Sequence, residues 1–379
     1  MKFATKLIHG GQTVDPLTGA LGVPIYQTST FRQKSLDEFG KYDYARSGNP
    51  SREAVEEAIA LLEGGSRGFA FASGMAAITS TLLIFSAGDH LVVCDDVYGG
   101  TYRALTGIFN RLGISSTFVD ATDPTAVEAA IRPETRGIYL ETPSNPLLKV
   151  TDLRRLVALA RSRGIITLVD NTFMTPYLQR PLELGCDIVL HSGTKFLSGH
   201  SDVICGYAVV RDEELGERIR YIQNGFGAIL GPQDSFLALR GLKTLKVRMD
   251  QSQASTVRIV HWLAEQKQVT RIHYPGLEDH PGHLIHQGQA DGPGAVFSFE
   301  LDSFETTRRL LEGTRLASFA VSLGGVESII SYPARMSHAA VPADERERKG
   351  IKDTLVRFST GLEAAEDLMA DISAAFNTK

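Results

Sequence analysis

Past residue 50, short apolar runs alternate with amphipathic stretches along the chain. Residues 53–63 place Val55, Ile59 and Leu62 on one face of a helix, and Gly64 stands where a helix-ending glycine belongs. Strands are predicted at 68–71, 91–93, 116–119, 138–140, 165–169, 188–190 and 207–210, with helices over 77–85 and 152–163 among them. The strands are rich in Val, Ile and Leu and lack polar alternation, so both faces should be buried. Alternating with helices, they predict an α/β fold with a mostly parallel, doubly wound sheet.

The pattern changes near Asp234. A long helical stretch runs through Leu239, Leu242, Leu245 and Trp262; residues 295–299 then alternate with a period of two, and helices follow at 304–311 and 364–376. This reads as a smaller C-terminal α+β domain. Before residue 50 the chain is polar and turn-rich, with Gly10-Gly11, Pro16, Gly19 and Pro24. Such a segment should be irregular, and should drape over its own chain or reach a partner. The expected organisation is an arm over 1–52, a large α/β domain over 53–245 and a small domain over 246–379.

Composition narrows the class. The 379 residues are 43% hydrophobic and 22% charged, as in ordinary globular proteins. The net charge is −5 with no long run of either sign, which argues against a nucleic-acid partner. No apolar stretch approaches the roughly 20 residues of a membrane span, and the N-terminus lacks the apolar core of a secretion signal. Cys94, Cys186 and Cys205 lie far apart without CxxC spacing and read as reduced thiols of a cytoplasmic protein, with Cys94 and Cys186, within or beside apolar runs, expected to be buried. His280, His283 and His286 are three apart, but Asp279-His280-Pro281-Gly282 reads as a turn, so no metal site is expected.

Three local signals carry chemistry. His191-Ser192-Gly193-Thr194-Lys195-Phe196 follows a buried strand. A lysine there, partly desolvated and flanked by hydroxyls, suits a Schiff base beside a phosphate, although a surface lysine in a turn has the same local sequence. Asp170 closes another strand, where ligands of open parallel sheets bind. It could pair with a protonated heteroaromatic nitrogen or merely cap a helix. Ala72-Ser73-Gly74-Met75-Ala76 lies between a strand and a helix, whose first N–H groups favour a phosphate. Together they describe a pyridoxal-phosphate site on successive strands.

At this point the chain resembles the Cys/Met-metabolism pyridoxal-phosphate enzymes of the trans-sulfuration group. The matching strings are Tyr44-Ala45-Arg46-Ser47-Gly48-Asn49-Pro50, Phe71-Ala72-Ser73-Gly74-Met75-Ala76, Asp96-Val97-Tyr98-Gly99-Gly100-Thr101, Glu141-Thr142-Pro143-Ser144-Asn145-Pro146, Val169-Asp170-Asn171-Thr172-Phe173, His191 to Lys195, Ser322 to Ser328, and Arg357-Phe358-Ser359-Thr360-Gly361. They span nearly the whole chain. The resemblance implies fold type I, the aspartate aminotransferase-like fold of pyridoxal-phosphate enzymes, and pyridoxal 5'-phosphate as cofactor. It implies that Lys195 carries the Schiff base and that Asp170 keeps the ring nitrogen protonated. Gly74, Met75, Ser192 and Thr194 would hold the phosphate, and Tyr98 would stack on the ring and exchange protons near the leaving sulfur. Asn145 would donate to the ring oxygen. Arg357 would clamp the substrate α-carboxylate, with Asn145 and Ser322 beside it. Tyr44 and Arg46 would reach the phosphate in a neighbouring subunit, within a homotetramer built as a dimer of dimers with shared active sites.

Within the family, Gly100 stands where methionine γ-lyases typically carry cysteine, and Leu323 where one type of β-lyase carries tryptophan. Glu327 could meet the distal ammonium of cystathionine in a γ-lyase or a γ-synthase. Residues 25–31 and 228–234 resemble the bacterial γ-lyases most closely, some of which also catalyse β-elimination. The expected activity is γ-elimination of L-cystathionine to cysteine, 2-oxobutanoate and ammonia. The alternatives are cystathionine γ-synthase, cystathionine β-lyase and, from another class, a non-catalytic pyridoxal-phosphate-binding regulator.

Overall fold

The computed structural model describes residues 1–11, 14–15, 17–339, 341 and 343–377; Pro16 of the expected irregular arm lies outside them. Seven strands, β1 (Arg67–Phe71), β2 (His90–Cys94), β3 (Ser115–Val119), β4 (Thr135–Glu141), β5 (Ile166–Asp170), β6 (Ile188–Ser192) and β7 (Gly206–Val210), form one sheet in the order β1-β7-β6-β5-β4-β2-β3. β7 is antiparallel to both its neighbours, and the strands from β6 to β3 are parallel. β2 and β7 are buried along their whole length, as their unbroken apolar runs require. Helices that flank strands of this sheet in the chain start on side-chain caps: Asn49 accepts from Ser51 N, Asp152 from Arg155 N and Asp212 from Leu215 N. Gly64, at φ +74°, ends the helix Pro50–Glu63 in the left-handed conformation that its position predicted.

Parallel strands bring their carboxyl ends to one edge. Glu141 lies opposite Asp170 across β4 and β5, and Gly206 at the start of β7 lies opposite both Phe71 and Ser192. The strand ends at Phe71, Glu141, Asp170 and Ser192 therefore share that edge.

The second sheet contains β8 (Val269–His273), β9 (Val296–Leu301), β10 (Ser318–Phe319), β11 (Ile329–Ser331) and β12 (Leu355–Ser359), in the order β10-β11-β12-β9-β8. Only the β10–β11 pair is parallel. β9 differs from expectation: every residue in it is buried, although its sequence alternates. Phe297 and Phe299 face the small-domain core with Ile259, Leu368 and Ile372. On the other face Ser298 donates to Pro146 O of the large domain, and the Glu300 carboxylate meets His273 and Lys352.

The long helical stretch is two helices, Pro232–Leu242 and Leu245–Ala264. Leu245 and Met249 of the second pack with Phe196 and Leu197 of the large domain, whereas Ile259, Val260 and Leu263 enter the small-domain core. This helix joins the two domains. The arm also departs from expectation: Phe3–His9 is a helix, because Phe3 packs on Tyr177 and Leu7 joins the core beside Val55 and Ala58. All three cysteines are buried and unbridged. Among the described residues no helix is long and apolar enough to cross a membrane.

Candidate active site

A cavity of about 460 Å³ opens where the carboxyl edge of the large sheet meets the small domain. Its floor follows from the strand order. β1 leads into the helix Gly74–Leu82, whose N-cap Ser73 accepts from Ala76 N, leaving Gly74 and Met75 to present the foremost N–H groups. A Cβ on Gly74 would lie 2.8 Å from Ser192 Cβ, so only glycine lets this helix start beside Ser192. Thr194 is pinned in turn: its hydroxyl donates to Cys205 O (3.1 Å) and accepts from Cys205 N (3.0 Å).

Asp170 closes β5 beneath these groups. One carboxylate oxygen accepts from Thr172 N (3.0 Å) and Thr172 Oγ1 (2.5 Å). Thr172 Oγ1 in turn accepts from Ser192 N (2.8 Å), which ties the ends of β5 and β6 together. Burial raises the Asp170 pKa, against the lowering pull of the Thr172 hydrogen bonds. A cation set against this carboxylate would stabilise its ionised form.

Lys195 enters the same cavity, and its Nζ donates to Ser322 Oγ (2.7 Å). Burial first, and then the charge of Arg357, lowers its pKa to about 8. Ser322 has a left-handed backbone, with φ +85°, unusual for a residue with a side chain. That turn aims its hydroxyl at Lys195 and its carbonyl at Arg357 Nη2 (2.8 Å). Arg357, on β12, also donates from Nη1 to Asn145 Oδ1 (2.8 Å). The guanidinium is buried, and its Nε has no hydrogen-bond partner. A donor stranded in this way favours an anion placed beside it.

The cavity thus brings together Gly74, Met75, Tyr98, Asn145, Asp170, Ser192, Thr194, Lys195, Ser322 and Arg357, all of them sequence-predicted site residues. Three others lie elsewhere. Glu327 is exposed, and its carboxylate accepts from Ser201 Oγ (3.3 Å). Arg46 donates to Asn224 O (2.5 Å) and lies over the Tyr44 ring, and neither side chain lines the cavity of its own chain. Sequence reasoning assigned no role to Glu141, which lines the cavity and accepts from Tyr98 N (2.9 Å). Burial, reinforced by the charge of Asp170, raises the Glu141 pKa well above the usual range. The signal was present, since Glu141 opens one of the matching strings, but it emerges only when β4 lies beside β5.

A parallel sheet with one inserted antiparallel strand, a buried lysine and aspartate at its carboxyl edge, and a phosphate-sized cradle at a helix start define a fold type I pyridoxal-phosphate enzyme. The family described as Cys/Met metabolism PLP-dependent enzyme matches residues 4–377, and the chain belongs to it. Cystathionine beta-lyase MetC of Bacillus subtilis is 56% identical over 371 residues, covering 98% of this chain and 95% of that protein. Cystathionine gamma-lyase of the same organism is 50% identical over 375 residues, covering 99% of each. The crystal structure of cystathionine gamma-lyase from Lactobacillus plantarum complexed with L-serine superposes with a TM-score of 0.98 at 49% identity, covering 99% of this chain and 98% of that one.

Pyridoxal phosphate is therefore the cofactor, and the residues present fit it. The start of the helix Gly74–Leu82 and the Ser192 and Thr194 side chains line the cavity together, and their N–H and hydroxyl groups suit phosphate oxygens. Asp170, buried without a basic side chain bonded to it, suits a protonated ring nitrogen.

Proposed function

We propose that this enzyme is a carbon–sulfur lyase of L-cystathionine. One observation carries the reading: a half-buried lysine amine, held by Ser322 Oγ and lowered to about 8, shares a cavity with a buried guanidinium whose Nε lacks a partner among the described residues. The first group suits proton transfer near neutral pH and the second an amino-acid carboxylate.

The bound cofactor supplies the electron sink for cleavage next to the substrate's α-carbon. The chain's own residues do the rest. Gly74, Met75, Ser192 and Thr194 hold the phosphate, and Asp170 holds a proton on the ring nitrogen. Asn145 serves the ring oxygen. Arg357 binds the substrate carboxylate, with Ser322 and Asn145 fixing the guanidinium from behind. Lys195 Nζ takes the proton from the substrate α-carbon. Tyr98 or Lys195 delivers a proton to the departing sulfur.

The sequence reading favours γ-elimination, in which cystathionine and water give cysteine, 2-oxobutanoate and ammonia. The 56% identical β-lyase supports a second reading, in which homocysteine, pyruvate and ammonia form instead. Incubating the holoenzyme with L-cystathionine and identifying the keto acid separates them. 2-Oxobutanoate supports the first and pyruvate the second. Neither keto acid, with cystathionine formed from an O-acyl-homoserine and cysteine, would replace both with the γ-synthase reading.

The site is proposed to be shared in a homotetramer. Tyr44 and Arg46 reach a partner's phosphate, and the exposed arm that carries them supports this.

A further inference from the structure

Two buried carboxyls beside the cavity have no part in that scheme. β2 and β4 are neighbours, and each ends in a loop that carries one site residue, Tyr98 after β2 and Asn145 after β4. Glu141, the last residue of β4, reaches across to accept from Tyr98 N at 2.9 Å. The Asn145 backbone N–H faces the same carboxyl. Asp96, in the loop after β2, reaches the other way. It accepts from Ser144 Oγ and from Leu147 N (3.2 Å), which flank Asn145. Ser144 Oγ also accepts from Lys149 N (3.0 Å), closing the loop on itself. Both carboxyls are buried, Asp96 at 2% exposure and Glu141 at 6%.

A buried carboxyl is costly, and a fold that keeps two at the ends of neighbouring strands needs a reason for both. Among the described residues neither forms an ion pair with a basic side chain within bonding distance, and their hydrogen-bond donors are backbone amides and one serine. Glu141 reaches from the end of β4 to the loop after β2, and Asp96 reaches from that loop to the loop after β4. We propose that Glu141 and Asp96 are positioning residues, a reciprocal brace that fixes the spacing of Tyr98 and Asn145 across the cavity. The proposal rests on the roles given above to Tyr98 and Asn145. With the brace intact, the Tyr98 ring and the Asn145 amide meet the cofactor without rearrangement; without it, the two loops move independently.

The test uses the holoenzyme. Glu141→Gln keeps an acceptor oxygen at the same reach, whereas Glu141→Leu fills the space with none. Glu141→Gln should stay within about threefold of wild-type kcat. Glu141→Leu should lose about 10- to 100-fold in kcat, with KM changed less. It should also weaken the visible circular dichroism of the bound cofactor, which reports ring seating and needs no cystathionine turnover. Asp96→Ala should move both readouts the same way. If Glu141→Leu does not fold, Glu141→Asp carries the test, because it keeps a carboxyl but draws it back by one methylene. Wild-type kcat and dichroism in Glu141→Leu, Glu141→Asp or Asp96→Ala overturn the proposal. So does a Glu141→Gln enzyme as impaired as Glu141→Leu, which would make the group an ion rather than a brace. If the wild type yields no keto acid from cystathionine, the functional reading fails by itself, and the dichroism still decides the brace.

Discussion

The floor of the cavity and the N-terminal arm break the usual partition of residues in opposite directions. On the floor, Glu141, Asp170 and Arg357 are withdrawn from water. In the arm, Leu17 is 89% exposed, Leu21 73%, Leu36 92% and Phe39 69%. Buried charge and exposed large apolar groups are the informative exceptions in a folded chain. On the floor the exception is largely answered within the chain, because Thr172, Tyr98, Asn145 and Ser322 supply hydrogen bonds to these groups, while Arg357 Nε stays open for an anion. The arm has no such resolution in its own chain. Between residues 17 and 48 it makes one isolated bridge, Thr30 to Tyr44, and its polar contacts are local or run to the start of the helix Pro50–Glu63 and the end of the helix Glu213–Phe226. The floor is specified by one chain; in the proposed shared site, the arm would be completed by another.

The largest expected effect lies on the floor. Lys195→Ala removes both the attachment point and the base, and should lower turnover by at least about 10³-fold. Borohydride reduction of the holoenzyme followed by peptide mapping should label Lys195; a label on another lysine refutes the assignment. The same residue sharpens the comparison through pH. Burial has moved its amine from 10.5 to about 8, which corresponds to roughly 3 kcal/mol between its two protonation states. Because the charged form is disfavoured, the neutral amine predominates above about pH 8. The rate at which the cofactor joins the apoprotein should therefore rise with pH and level off just above 8. A rate still climbing at pH 10 would show an ordinary, solvated lysine.

Asp170→Ala comes next. Losing a buried carboxylate matched to a ring cation should cost about 10²-fold in turnover and loosen the cofactor. Wild-type turnover and cofactor affinity in this variant would remove Asp170 from the site. Arg357→Lys should act on binding. It keeps the charge but loses the planar fork and the Nε donor, so KM for cystathionine should rise about tenfold with the cofactor spectrum unchanged. An unchanged KM places the substrate carboxylate elsewhere.

The two regions were also unequally legible in the sequence. Strand ends are written locally, as apolar runs followed by a small residue or a carboxylate, so Gly74, Asp170 and Lys195 could be picked out before their distances were known. Parallel pairing of β5 with β6 then set Asp170 beside the strand that leads to Lys195, and antiparallel β7 between β1 and β6 set the start of the Gly74 helix opposite Ser192. What was not legible depends on neighbours distant in the chain. β9 alternates in sequence yet is buried on both faces, because Pro146 of the large domain covers Ser298, and His273 and Lys352 cover Glu300. Glu141 and Asp96 look like ordinary carboxylates until the loops after β2 and β4 lie side by side. The helix Phe3–His9 was hidden because its apolar residues are few and its stability comes from Tyr177 and the helix Pro50–Glu63. Glu327, read from a family string, faces solvent in this chain.

The smallest effect concerns the arm and bears most directly on the comparison. Arg46 in its own chain holds Asn224 at the end of a helix, an exposed contact worth little by itself. If that were its whole role, Arg46→Ala would leave cofactor binding untouched. If the arm completes a partner's site, the same change should weaken cofactor affinity about tenfold while the thermal midpoint of the protomer barely moves, because one charge-assisted contact to the phosphate is lost. Mixing the two defective chains distinguishes these cases. At limiting cofactor, Arg46→Ala and Lys195→Ala chains are each impaired in every site they form with themselves. In a mixed dimer, one site takes its lysine from the first chain and its arginine from the second, and lacks neither. Random exchange makes half the dimers mixed, each with one sound site of two, so about a quarter of wild-type activity should return. No gain, with subunit exchange verified by mass spectrometry, would mean that each protomer builds its site alone and that the exposed leucines of the arm serve some other contact.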